Sequence, residues 1–264
     1  HGSFNSWGRD RFWPPQVFKL DDEAFFAAHR DLPLLDATKP VILRNNRWRC
    51  DHGWDIDLDD GSSHYEIRNN LCLHGGIKNR EGFQRVVENN VIVGSGFHPH
   101  VWYKHSGDIF RRNIVGSAAY RPARMGPPPW GSELDYNLVH SPGLDAPQPA
   151  AKLAEQSGRD EHSILADARF VDPARGDFRV RADSPALALG FVNFPMDQFG
   201  VTKPALKAIA PTPSFVSSTA GEPTPSDPPV AVWLGARVKT LTTLEEASAY
   251  GVGLSLGGVL VLEV

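Results

Sequence analysis

Apolar and polar positions in the first half of the chain repeat over a step of 20 to 24 residues, without a helical period. Five segments read alike: Ile42-Leu43-Arg44-Asn45-Asn46, Glu66-Ile67-Arg68-Asn69-Asn70, Val87-Glu88-Asn89-Asn90, Phe110-Arg111-Arg112-Asn113 and Leu134-Asp135-Tyr136-Asn137. Their final asparagines fall at 46, 70, 90, 113 and 137, giving steps of 24, 20, 23 and 24. Short apolar pairs follow four of them, Leu71-Cys72, Val91-Ile92, Ile114-Val115 and Leu138-Val139, and Arg47-Trp48 is the weakest copy. Short β-prone runs and turns at this period predict the coils of a parallel β-helix. Leucine-rich repeats share the period but need a dense leucine pattern that is absent here. Equivalent residues one coil apart would lie about 4.8 Å from each other, so the asparagines can hydrogen-bond along the axis as a ladder. Cys50 and Cys72, 22 residues apart, are expected as stacked core residues of neighbouring coils.

Other stretches divide the chain. Residues 1–13 are aromatic and charged, and Pro14-Pro15 ends that pattern. Residues 21–30 read as a short helix inserted between coils, with acids in the first turn and a base in the last. Residues 141–158 read as loop, and short strands resume over 164–190. A linker is expected over 201–229, which holds seven prolines with Ser and Thr. Strand-like runs follow at 230–235 and 258–264. The expected organisation is a β-helix over 1–200, the linker, and a small unit over 230–264.

Composition narrows the function classes. Lys plus Arg is 27 and Asp plus Glu 31, so the net charge of −4 offers no general basic face for nucleic acid. No apolar run reaches the 18 residues of a membrane span. Gly 24 and Pro 22 argue against long helices, and two cysteines cannot build a disulfide framework. The chain opens at His1 without Met, which fits either a removed leader or a start inside a longer protein.

The densest polar cluster is Trp54-Asp55-Ile56-Asp57-Leu58-Asp59-Asp60-Gly61. On a strand, Ile56 and Leu58 point inward and Asp55, Asp57 and Asp59 outward. Aligning the turn glycines Gly61, Gly82 and Gly107 stacks Asp57 with Lys78 and Tyr103, and Asp59 with Arg80 and His105; Asp60 faces Glu81 and Ser106. Trp102, His98 and His100 lie in or just before the third coil. Carboxylates, rings and cations on one sheet face suit a sugar chain, with Asp57 and Asp59 as the acid and base. Their i, i+2 spacing of about 6.6 Å between Cα atoms matches the roughly 6.5–9.5 Å carboxyl separation of inverting glycosidases. Asp55, Lys78, Arg80, Trp102, Tyr103, His105 and His100 are the expected substrate contacts. Calcium is the competing expectation for Asp55, Asp57, Asp59 and Glu66, which occupy positions 1, 3, 5 and 12 of a calcium loop; Gly61, however, falls at position 7 where position 6 is required. His98-Pro99-His100 could pair on a metal, and His1 with its free amine could form a copper brace. No other cofactor is expected.

The coil pattern resembles the right-handed parallel β-helix proteins of the pectate-lyase-like superfold. Asp172-Pro173-Ala174-Arg175-Gly176-Asp177-Phe178-Arg179-Val180, followed by Asp183-Ser184-Pro185-Ala186-Leu187 and Gly190-Phe191, is similar to the closing segment of many β-helix carbohydrate-active enzymes. That resemblance implies a secreted or periplasmic protein acting on a polysaccharide or oligosaccharide, as hydrolase or lyase. Gly76-Ile77-Lys78-Asn79-Arg80-Glu81-Gly82 resembles polysaccharide lyase family 6, with Arg80 at the family's arginine and Glu81 in place of its histidine. The lysine base of that family has no counterpart, since Asp57 and Asp59 hold the equivalent stretch, and hydrolysis is favoured over β-elimination. Glycan binding without turnover is the third expectation. Trp233-Leu234-Gly235-Ala236, Gly251-Val252-Gly253-Leu254 and Gly257-Gly258-Val259-Leu260-Val261 resemble the first half of a bacterial PDZ domain, implying a chain cut inside that region. Missing N-terminal coils would leave an uncapped end open to self-association.

Overall fold

The computed structural model describes residues 2–8, 22–116, 119–210, 230–252 and 258–263. Its main body is a β-solenoid of about five turns. Its turns contribute short strands to three sheets whose strands run parallel, and the last turns omit the first-sheet strand. The first sheet holds Phe4–Ser6, Ile56–Leu58, Ile77–Asn79 and Phe97–Pro99. The second holds Val41–Arg44, Tyr65–Arg68, Arg85–Glu88, Ile109–Arg111 and Glu133–Asp135. The third runs from Arg47–Trp48 through Leu71–Cys72, Val91–Ile92, Ile114–Val115 and Leu138–His140 to Ile164–Ala166, with Gln148–Pro149 antiparallel at its end.

The asparagine repeat builds the corner between the second and third sheets. Residues 45, 69, 89, 112 and 136 take left-handed φ values of 54–58°, turning the chain in one step. Asparagine tolerates that conformation better than most residues, which explains why the pair Asn-Asn recurs. The second asparagine points inward and forms the ladder. The backbone N–H of Asn70 donates to Asn90 Oδ1 at 2.9 Å, that of Asn90 to Asn113 Oδ1 at 3.0 Å, and that of Asn113 to Asn137 Oδ1 at 3.0 Å. Each side-chain amide donates in turn to strand carbonyls, as Asn90 Nδ2 does to Ile67 and Glu88. The ladder ends where the Asn137 N–H donates to Ser163 Oγ, itself bonded to the buried carboxylate of Asp160.

Alternation along the strands separates two apolar layers. Ile56, Leu58, Ile67, Cys72, Ile77, Val87, Ile92, Phe97, Phe110 and Val115 fill the solenoid interior. Leu71, Val91, Ile114 and Leu138 point out of the third sheet and are covered by Phe170, Phe178, Val180, Phe191 and Phe194. The closing segment therefore folds back along the outside of the third sheet, and the paired hydrogen bonds of Asn89 with Val192 hold it there.

Several expectations need correction. Trp48 pairs with Cys72 across the third sheet, while Cys50 lies beyond the strand and is half-buried, so the two thiols do not stack. The 141–158 stretch contains the helix Ala151–Ser157, built from good helix formers and stopped by Gly158 in the left-handed region. The inserted helix covers Glu23–Ala28, capped by Asp22, whose side chain accepts from Ala24 and Phe25. Pro204–Lys207 forms one helical turn inside the expected linker, of which residues 211–229 lie outside the described set. Beyond it, Ala231–Trp233, Ala236–Thr240 and Val259–Glu263 form a small antiparallel sheet with the helix Leu244–Tyr250. Leu234 and Gly235 are the hairpin turn, both with positive φ, and not part of an opening strand.

Candidate functional site

Outward positions of the first sheet bring the expected chemistry together in part. Asp57 pairs in register with Lys78, as the sequence implied. Ile56 and Leu58 on either side of Asp57 face the core, so Asp57 projects from the opposite face. The third strand departs from expectation: His98, not Tyr103, lies beside Lys78. Two residues on, His100 follows Arg80 where His105 was expected, and Arg121 extends the His98 row through a parallel bridge of Phe97 to Tyr120. Gly107 misleads because it follows a longer loop than Gly61 or Gly82. The glycines that stack are Gly76 and Gly96, both with positive φ and placed just before the strands. Their alignment, Gly76-Ile77-Lys78-Asn79-Arg80 over Gly96-Phe97-His98-Pro99-His100, was available in the sequence.

The displaced residues have other duties. Trp102 is buried against Phe97 and donates its indole N–H to the Asn79 carbonyl at 2.8 Å. Tyr103 stacks on Phe83 at 5.3 Å, and His105 stacks on Phe26 of the inserted helix at 4.4 Å while facing Glu23 at 3.3 Å. None of the three lines the first sheet. Asp55 is also turned away: its carboxylate accepts backbone N–H bonds from Cys50, His74 and Gly76, tying one turn to the next. Burial pushes its pKa up to about 6 despite those bonds.

What remains on the face is a compact charged row. Lys78 Nζ lies 2.7 Å from Asp57 Oδ1 and 3.3 Å from Asp59 Oδ1, and sits 4.1 Å from the centre of the Trp54 ring. Trp54 in turn meets His98 and His100 edge-on, each at 5.9 Å. Arg80 reaches Asp59 at 3.4 Å, Asp60 at 2.9 Å and Glu81 at 2.6 Å. Burial raises the Asp57 carboxyl above the usual carboxylate range against the pull of Lys78. Burial, with Asp60 beside it, lifts Glu81 to about 7 although Arg80 opposes the shift. His100 is held neutral, its pKa lowered to about 3 by burial and by Lys78 and Arg80. Neither His100 ring nitrogen has a hydrogen-bond partner among the described residues.

The calcium set does not converge. Asp55 holds backbone, Asp57 and Asp59 hold Lys78, and Glu66 sits on the second sheet paired with Arg68. Among the described residues no three His, Cys, Asp or Glu side chains are grouped to hold a metal ion, which also leaves His98 and His100 without a third ligand. His1 lies outside the described residues. No described helix is long and apolar enough to cross a membrane. Comparison with family models, curated proteins and solved structures gave no match.

Trp54 and Arg121 belong to the row although the sequence did not single them out, and Asp60, Glu81 and His98, placed near it by the sequence, were not among the expected substrate contacts. The Gly76/Gly96 alignment was the signal that sets His98 beside Lys78 and His100 beside Arg80.

Proposed function

We propose that the first-sheet face processes a glycan, by hydrolysis, and that the protein is a secreted or periplasmic carbohydrate-active enzyme of the right-handed, pectate-lyase-like kind. The observation that carries this reading is the row Asp57, Asp59, Lys78, Arg80, His98 and His100 on one sheet face beside the Trp54 ring. A right-handed winding follows from the strong preference of parallel crossovers for that hand. Asp57, whose carboxyl burial raises above the usual carboxylate range, is the acid that protonates the glycosidic oxygen. Asp59, more open to solvent, activates the attacking water. Two strand positions, about 6.6 Å between Cα atoms, suit the inverting geometry of about 6.5–9.5 Å. Lys78 and Arg80 orient hydroxyl or acidic groups. The C-terminal strands keep their resemblance to half a PDZ domain as a second element of the proposal.

His100 supports β-elimination as the second reading. Its ring nitrogens have no partner among the described residues, and it lies beside Lys78 and Arg80, cations suited to neutralising a uronic carboxylate. A polysaccharide panel separates the readings: hydrolysis gives reducing ends alone, elimination gives an ultraviolet-absorbing product as well. Asp57→Asn is expected to abolish hydrolysis in a protein that stays folded. Turnover that survives it removes the assignment, and a panel with binding and no turnover favours a glycan-binding module.

A further inference from the structure

Outward positions on a sheet are ordinarily wet, and the second sheet behaves so: Glu66, Arg68, Glu88 and Arg111 are half-buried and pair along its surface. The first sheet does not. Asp57, Lys78 and His98 are each 1% exposed and His100 0%, although they project from the face opposite the core. The chain itself contributes a cover. Lys78 Nζ donates to Ser248 Oγ at 3.2 Å, in the middle of the helix Leu244–Tyr250. At the end of that helix the Tyr250 ring receives the Arg124 guanidinium at 5.3 Å.

We propose that the Leu244–Tyr250 helix is a displaceable cover of the first-sheet groove, an occupant that must leave before any extended ligand can enter. The inference rests on the glycan reading only for the identity of that ligand. Two features argue that the cover is a stand-in and not permanent packing. His100 is enclosed with neither ring nitrogen satisfied, a condition that permanent interiors avoid because an unmade buried hydrogen bond is costly. The contact to Lys78 is a single neutral hydroxyl, added to the Asp57 and Asp59 carboxylates that the ammonium already meets. Covalent attachment lets so weak a contact persist, because the competition is intramolecular. A ligand carrying hydroxyl groups would give His100 the hydrogen-bond partner that the helix does not.

The test labels histidines with diethyl pyrocarbonate in the full chain and maps them by mass spectrometry. Exposed His52 is the internal standard. In the parent protein His98 and His100 are expected to label at least ten-fold more slowly than His52. Ser248→Arg, which sets a cation against Lys78, and separately Tyr250→Ala, are expected to raise His100 labelling at least ten-fold with His52 unchanged. Circular dichroism checks that each variant keeps its β-structure, and Tyr250→Ala stands if Ser248→Arg unfolds. Equal His100 labelling in parent and folded variants, or parent labelling as fast as His52, overturns the cover. Polysaccharide binding is measured apart from labelling: a groove that opens and binds no glycan retires the glycan reading and keeps the cover.

Discussion

At the scale of residues, the Asp57–Lys78 contact carries the clearest energetic consequence. Both groups have left water, and each depends on the other for compensation. Removing one partner by Lys78→Met should destabilise the protein by about 3–5 kcal/mol, because an isolated buried charge remains. Replacing both, with Asp57→Asn added, should recover much of that loss. Urea midpoints of the two single variants and the double variant measure the difference. Protonation gives a second expectation. Glu81 titrates near 7 in the fold against an ordinary 4.5, so the fold favours its protonated form. Its stabilising contribution is complete below about 4.5 and is lost as pH rises through 7, at ~1.4 kcal/mol per pH unit across that window. His100 works in the opposite sense: with its pKa near 3 against 6.5, it supports the fold above 6.5 and withdraws that support as pH falls toward 3. Glu81→Gln should therefore flatten the stability profile between pH 4.5 and 7 and leave the acid limb in place, as thermal melts across that range would show.

Elements add terms that single residues do not. The asparagine ladder satisfies interior backbone at one corner of every turn, and its middle rungs are buried on all sides. Asn90→Ala strands the Asn70 N–H and two strand carbonyls, and a loss of about 2–3 kcal/mol is expected. Asn46→Ala, at the half-exposed end rung, should cost less than about 1 kcal/mol by the same denaturation measurement. This ladder was legible in the sequence because each rung uses the same residue type at the same corner. The Asp57–Lys78 pairing was legible too, since the first two coils differ little in length. The third coil was not, because residues 101–107 leave the sheet and carry Trp102, Tyr103 and His105 into the packing around Phe83 and Phe97. The duty of Asp55 was hidden for another reason: a carboxylate that binds backbone N–H groups looks, in a sequence, like one that binds substrate. The helix Leu244–Tyr250 did carry a signal in Thr243 and Glu246, the spacing of a capping box, and Thr243 does accept from the Glu246 N–H.

For the whole molecule, stacking means that each turn leans chiefly on its two neighbours. Central turns are buried from both sides, whereas Val41–Arg44 closes the second sheet with Val41 and Ile42 exposed. Native-state hydrogen exchange should find amides of Val41–Arg44 opening well before those of Arg85–Glu88, and equal protection would contradict a stack that frays from its end. Phe97→Ala, in the middle of the interior and stacked on Phe110 at 4.0 Å, should lower stability by about 3–5 kcal/mol. The one-residue left-handed corner has a wider consequence for how such a chain can change in length. Strand, corner and strand form a unit there with no slack, and adding one residue would turn the following pair inside out. The corner between the first and second sheets already accommodates differing lengths, as the 101–107 excursion and the inserted helix demonstrate, and the corner between the third and first spans 49–55 in one turn but only 73–76 in the next. Growth, grafting and diversification of this scaffold are accordingly confined to the borders of the first sheet, the same borders that frame its charged row.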